Sequence, residues 1–326
     1  MTLVGMLSGA LFGVIVSDGE LAGALRGAAT GGPITALLLT LEVGLLNAGN
    51  DNRFRRLPFT ALLAFRTLCY LAVFIGGLWF GEAVVPIDDA RGTIGWNSQT
   101  LISLAFASAL GLLFNIYFAI RRLLGPGVLA RFVTGRYHRP REEKRIFLFI
   151  DLKGSTEIAE RIGPLEFHRL MNDVIYAVTR PILSHRGEIH KYVGDEIIVT
   201  WPMAGRDANA RALDCVAACH RALVARSPVF EKRYGVSPGF WAGLHGGPVV
   251  TGEMGDVRQE IVFLGDTVNT AARIEQSCRT LGHDCLLSES LLGELALPAW
   301  ARPEALGPVS LRGKTEPVAL YALALD

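Results

Sequence analysis

The first 124 residues hold fifteen charged side chains and no lysine, and between those charges lie four apolar stretches, Leu3–Val16, Pro33–Leu46, Phe59–Phe80 and Leu101–Ile120. Few folds are open to such a segment. Helices this apolar bury their side chains against one another or in lipid, and a bilayer crossing takes about 20 apolar residues. The third and fourth stretches are close to that length, the second reaches it if extended back to Ala28, and the first is short. A cleaved signal peptide is the rival reading of the first, but no Lys or Arg precedes it, so the basic leading region is missing. Gly5, Gly9 and Gly13 recur every fourth residue on one helical face, a stripe that lets two backbones pack closely. The expectation for residues 1–124 is an α-helical membrane bundle of about four spans.

Positive charge sets the expected orientation. Arg53, Arg55 and Arg56 lie between the second and third stretches, and Arg121 and Arg122 follow the fourth, with Arg131, Arg136, Arg139, Arg141, Lys144 and Arg145 close behind. The other two loops carry only Arg26 and Arg91. The positive-inside rule then places both termini in the cytoplasm, with the lipid bilayer of the inner cell membrane as a partner. Glu42 and Arg66 fall inside the second and third stretches at similar depth. They are expected to pair, the alternative being that each snorkels separately to the interface. Residues 125–144 read as a basic cytoplasmic linker, by default a solvated connector, the alternatives being contact with anionic headgroups or a short helix that relays motion between the halves.

Residues 145–326 read as a globular domain of mixed helices and strands, long enough to bury its own core. A formal net charge of +1 offers no basic stripe, so a nucleic-acid polymer is not an expected partner. Cys69, Cys215, Cys219, Cys278 and Cys285 form no metal-ligand spacing and are expected to be free thiols. Arg145–Asp151 is a short apolar run with a carboxylate at its tip, which predicts a buried strand. Helical patterning follows over Ser155–Ile162 and Pro164–Ser184. Glu188–Tyr192 and Glu196–Trp201 flank Val193-Gly194-Asp195, which predicts a β-hairpin with Asp195 in its turn. A helix over Asp207–Arg226, strands near Phe240–His245 and Gln259–Leu264, and a helix from Thr267 to about Leu281 complete the pattern.

In such a sheet the tip of the first strand and the neighbouring hairpin turn lie side by side, so Asp151 and Asp195 are expected to face each other. Two carboxylates that close repel, and divalent cations between them are the natural resolution. Gly154-Ser155-Thr156, at a strand-to-helix turn, offers backbone N–H groups to phosphate oxygens.

Three ordered motifs, FLFIDLKGST at 147–156, HKYVGDEIIVTW at 190–201 and GDTVNTAAR at 265–273, together resemble the catalytic domain of class III adenylate and guanylate cyclases. The resemblance covers Ile146 to Tyr321. It implies an α+β ferredoxin-like, palm-type catalytic domain behind the helical segment, and conversion of ATP to 3′,5′-cyclic AMP and pyrophosphate. It further implies that Asp151, Asp195 and the backbone carbonyl of Leu152 hold two Mg²⁺ or Mn²⁺ ions, and that Gly154, Ser155 and Thr156 meet the triphosphate. Lys191 falls where ATP-selective members carry their adenine-reading lysine. Asn269 and Arg273 match the pair that orients the ribose and stabilises the transition state, and Lys314 matches a lysine on the terminal phosphates. In the family these two groups of residues come from different subunits. Because this chain carries both, a homodimer with two equivalent sites is implied.

One position departs from the pattern. The family's second adenine-reading residue, Asp or Thr, falls on Val262, which has no side-chain acceptor for the adenine amino group. Adenine preference therefore rests mainly on Lys191. A guanylate cyclase and a catalytically silent nucleotide-binding receptor are the rival readings.

Overall fold

The structure is a computed structural model that describes residues 2–16, 21–47, 59–84, parts of 102–120, 134–257 and 259–325. It divides into two compact units, Met1–Leu124 and Gly125–Asp326.

The first unit is helical: α1 spans Thr2–Val16, α2 Leu21–Asn47 and α3 Phe59–Val84, with further helical residues between 102 and 120. The glycine stripe of α1 is where α1 and α2 meet. A Cβ added at Gly9 would run into the Gly27 carbonyl, and one at Gly13 into the Gly23 carbonyl. The backbones therefore touch, antiparallel, as small residues allow. Ile34 and Leu38 of α2 bury against Tyr70 and Phe74 of α3, with Phe114 packed on that cluster. Asn115 is fully buried, and its amide donates to the Thr67 hydroxyl.

Among the described residues no helix is long and apolar enough to cross a membrane, which overturns the four-span membrane bundle expected for residues 1–124. The reasons are local. With 15 residues, α1 is about 22 Å long at 1.5 Å per residue, against a hydrocarbon core of about 30 Å. The apolar run of α2 is diluted by Arg26, Thr30, Gly31, Gly32 and Pro33, and that of α3 by Arg66 and Thr67. Arg66 is buried in the helical unit. The side chain of its expected partner, Glu42, lies outside the described residues.

The second unit is α+β. Its elements are β1 Arg141–Leu152, α4 Ser155–Ile162, α5 Pro164–Ser184, β2 Glu188–Val193, β3 Glu196–Pro202, α6 Arg206–Asn209, α7 Arg211–Val224, α8 Ser227–Tyr234, β4 Phe240–Met254, β5 Glu260–Leu264, α9 Asp266–Leu281, β6 Cys285–Ser288, α10 Glu289–Leu292, β7 Pro303–Val309 and β8 Val318–Leu323. They build an 8-stranded mixed sheet in the order β2-β3-β1-β4-β6-β8-β7, with β5 on β4. Its first four strands run β4-β1-β3-β2, all antiparallel, the ferredoxin-like arrangement. Among the described residues only β4 and β6 pair in parallel. Arg141–Lys144, read from sequence as linker, already belong to β1, where they pair with β4. The single helix expected over Asp207–Arg226 is two, because Asn209 closes a turn on the Ala204 backbone and donates to the Glu294 carbonyl. All five cysteines are free thiols.

Alternation along β1 sorts its two faces. Ile146, Leu148 and Ile150 join the large core with Leu170, Val174 and Ile182 of α5 and Leu213 and Val216 of α7. Phe147 and Phe149 face the other way, packing with Val249 and with Ala271 of α9. Asp151 has the parity of those two phenylalanines, so it ends the strand on the α9 side. Close approach of α9 requires Gly243, where an added Cβ would stand 2.6 Å from the Glu275 Cα. Gly243→Ala is expected to push α9 off β4 and cost about 1–3 kcal/mol, read as a lowered thermal midpoint of the full chain.

Candidate active site

Two strand ends make the acidic centre. Antiparallel pairing of β1 with β3 ends at Ile150↔Ile197, so Asp151 comes level with Glu196 and with the turn residue Asp195. The turn is tight because Gly194 takes a left-handed φ of 64°. Burial, then the charge and hydrogen bond of Asp195, then Glu196, push the Asp151 carboxyl up to about 7, against a hydrogen bond from the Leu152 N–H. Burial and then Asp195 raise Glu196 as well. Glu275, one helical turn beyond Ala271 on α9, is 3% exposed and pushed up to about 8 by burial, then by Asp151, Glu196 and Asp195. Four carboxyl groups around one spot make a well of negative potential suited to a divalent cation. Among the described residues no group of three or more His, Cys, Asp or Glu has metal-holding geometry.

The phosphate side is built next to it. Gly154, left-handed at φ 65° and ψ 27°, turns β1 into α4, and no side chain caps that helix. The N–H groups of its first turn, from Ser155 and Thr156, stay available to an anion.

The remaining predicted residues gather on α9, β2 and the loop before β8. Asn269 is exposed and Arg273 half-buried, one turn apart on the same face of α9. Gly313 lies against Arg273: a Cβ there would stand 3.1 Å from an Arg273 guanidinium nitrogen. Lys314 follows, its Nζ 2.5 Å from the Asp266 carboxylate at the start of α9. Lys191 on β2 has its Nζ 2.5 Å from the Glu260 carboxylate on β5. Val262 lies on β5 opposite Gly252 of β4. Among the described residues no hydrogen bond or ion pair joins Asp151 or Asp195 to Lys191, Asn269, Arg273 or Lys314. Within one chain the acidic centre at the β1 tip and the residues on α9, β2 and the loop before β8 are thus separate groups.

Sequence reasoning missed Glu196, Glu275, Glu260 and Asp266. Glu275 left a trace: it falls in the buried α9 stripe of Thr267, Thr270, Ala271, Ile274 and Cys278, where a carboxylate is out of place. Glu260 and Asp266 are visible only through their long-range partners.

A family model for the adenylate and guanylate cyclase catalytic domain matches residues 138–324. The chain belongs to this cyclase family. The cyclase domain is similar to adenylate cyclase 2 of Rhizobium meliloti, 40% identical over 63% of this chain and 56% of that protein. It is also similar to an adenylate cyclase of Anabaena cylindrica, 30% identical over 53% of this chain and 35% of that one. The chain thus spans about half or less of the length of these relatives. A bacterial light-regulated adenylyl cyclase shares the fold, with a TM-score of 0.60 and 20% identity over 71% of this chain and 67% of that one.

The cyclase domain also carries two half-buried histidines, each held near a pKa of about 4 chiefly by desolvation: His190, beside Lys191 and Arg145, and His245, whose Nδ1 lies 2.7 Å from the Ser288 hydroxyl. Their folded pKa lies below the unfolded 6.5, so their stabilising contribution is complete above about 6.5 and is lost as pH falls to about 4. Asp151 and Glu275 titrate in the opposite sense in an overlapping window, so a comparison of variants isolates the effect. Stability of His245→Gln relative to wild type is expected to be flat above pH 6.5 and to shift in the variant's favour down to pH 4, measured by urea midpoints.

Proposed function

We propose that this chain is an adenylate cyclase, forming 3′,5′-cyclic AMP and pyrophosphate from ATP at sites shared between two copies. The observation that carries this reading is the division into two groups, an acidic one at the β1 tip and a cationic, amide-bearing one on α9, which a two-fold pairing of copies would complete. Asp151, Asp195 and the Leu152 carbonyl would hold two divalent cations, Mg²⁺ or Mn²⁺. When bound, such ions lower the pKa of the 3′-hydroxyl and neutralise triphosphate charge.

The chain's own residues supply the rest. Lys191 donates to adenine N1, an acceptor that guanine lacks. Asn269 orients the ribose so that its 3′-oxygen faces the α-phosphorus in line with the departing pyrophosphate. Arg273 spreads its guanidinium over the charge that builds up on the α-phosphoryl oxygens. Lys314, released from Asp266, meets the terminal phosphates, and the N–H groups after Gly154 complete the anion cradle. We place this unit in the cytoplasm, where ATP is at hand.

The test is an assay of the full chain with ATP or GTP, each with Mg²⁺ or Mn²⁺. Cyclic AMP as the dominant product is expected. A preference for GTP, or no cyclic nucleotide with either metal, overturns the proposal.

A further inference from the structure

Adenine presents two neighbouring groups on its Watson–Crick edge, the acceptor N1 and the donor 6-amino group. Lys191 serves the first, and Val262 leaves the second without a side-chain partner. A carboxylate stands beside Lys191. Glu260, two residues before Val262, shares its face of β5 by strand alternation, and its Oε2 lies 2.5 Å from Lys191 Nζ.

We infer that Glu260 accepts the hydrogen bond from the adenine 6-amino group, so that the Lys191–Glu260 ion pair reads the base as a unit. This deepens the adenylate cyclase reading and rests on it.

Three features support the assignment. First, the pair is pre-assembled and open to a ligand, with side-chain exposures of 41% for Lys191 and 30% for Glu260. An ammonium has three donors, and a carboxylate has about four lone-pair sites, so each group keeps capacity for the base while paired with the other. Second, the backbone aims both side chains. The pairing of β2 with β3 shifts register between Ile189 and Lys191. Such a bulge re-aims side chains. The His190 ring packs edge-on against Phe263 of β5 at 4.8 Å, while Lys191 reaches Glu260. Third, β5 is anchored. Phe263 also meets Phe147 of β1 at 5.4 Å and lies under the Arg145 guanidinium at 4.7 Å. Glu260 therefore stands on a strand held by β4 and by Phe263, within reach of Lys191.

A donor beside an acceptor matches adenine in one register. Guanine in that register would set its O6 against the Glu260 carboxylate and its N1–H against the Lys191 ammonium, two repulsive contacts that act against GTP.

The test is a cycle between protein variant and substrate on the full chain, with ATP and purine riboside 5′-triphosphate, which lacks the 6-amino group. For Glu260→Ala, kcat/KM with ATP is expected to fall by about 10–100-fold. With the amino-free substrate the loss stays within about threefold, because the missing acceptor has nothing to receive. Glu260→Gln keeps an acceptor oxygen and loses less with ATP, while its new donor raises the GTP-to-ATP ratio. Equal losses on both adenine-type substrates, in Ala and Gln variants alike, would show that Glu260 only props Lys191 or the fold, and no loss with ATP would show that it does not touch the base; either overturns the inference. Failure of the underlying reading is seen separately, as absence of cyclic AMP from the wild-type chain.

Discussion

Replacing Arg273 with alanine is expected to lower kcat for cyclic AMP formation by about 10³–10⁵-fold, the range associated with an arginine that stabilises a phosphoryl-transfer transition state. The residue is well placed to be worth that much. It sits one turn after Asn269 on a helix locked to the sheet by the backbone contact at Gly243, and the Gly313 loop presses on its guanidinium. A contact formed mainly in the transition state lowers kcat and kcat/KM together, so KM should change by no more than about threefold. A variant whose defect lies in KM alone would move Arg273 to ground-state binding. Mixing supplies the second half of the argument. Asp151→Asn and Arg273→Ala should each be inactive alone. Combined in equal amounts, about half the dimers are mixed and each carries one intact site, so roughly a quarter of wild-type activity returns. No recovery would mean that each chain works by itself.

Arg145 carries the largest expected effect on stability. Its guanidinium, 1% exposed, bonds the Glu143 and Glu188 carboxylates at 3.1 and 2.6 Å and the Thr200 hydroxyl at 3.0 Å. Removing one partner of a buried charge network leaves the others uncompensated and costs about 3–5 kcal/mol. For Arg145→Met that corresponds to a thermal midpoint lowered by about 6–20 °C. Adding Glu143→Gln should recover part of the loss, since it removes one of the stranded charges. Because Arg145 also covers Phe263, the variant should weaken ATP selectivity at temperatures where it is still folded. A midpoint shift below about 2 °C would show that the carboxylates find water instead.

Much of the second unit was legible because its signals are local. Alternation in Ile197, Val199 and Trp201 marks a strand, Gly194-Asp195 marks its turn, and a strand ending in Asp151 has one sensible neighbour. The observed β2, β3 and α9 boundaries follow those signals within a residue or two. The helical unit was misjudged for a physical reason. Apolar composition does not by itself give a helix the length and continuity that a bilayer crossing needs, and α1, with 15 residues, falls short. At the site, residues tied by spacing were visible, whereas Glu260 and Asp266 owe their significance to Lys191 and Lys314, far away in sequence. No local pattern could announce them.

Asp151 closes a strand that resists local opening. β1 is hydrogen-bonded along both edges, by β3 and by β4, with its middle residues wholly buried. Strands of that kind exchange their amide protons last, through opening of the whole unit. An acidic centre at the end of such a strand does not fray by itself. Heat or denaturant should therefore take the chemistry and the last protected amides in one step, while loops elsewhere loosen earlier without silencing the molecule.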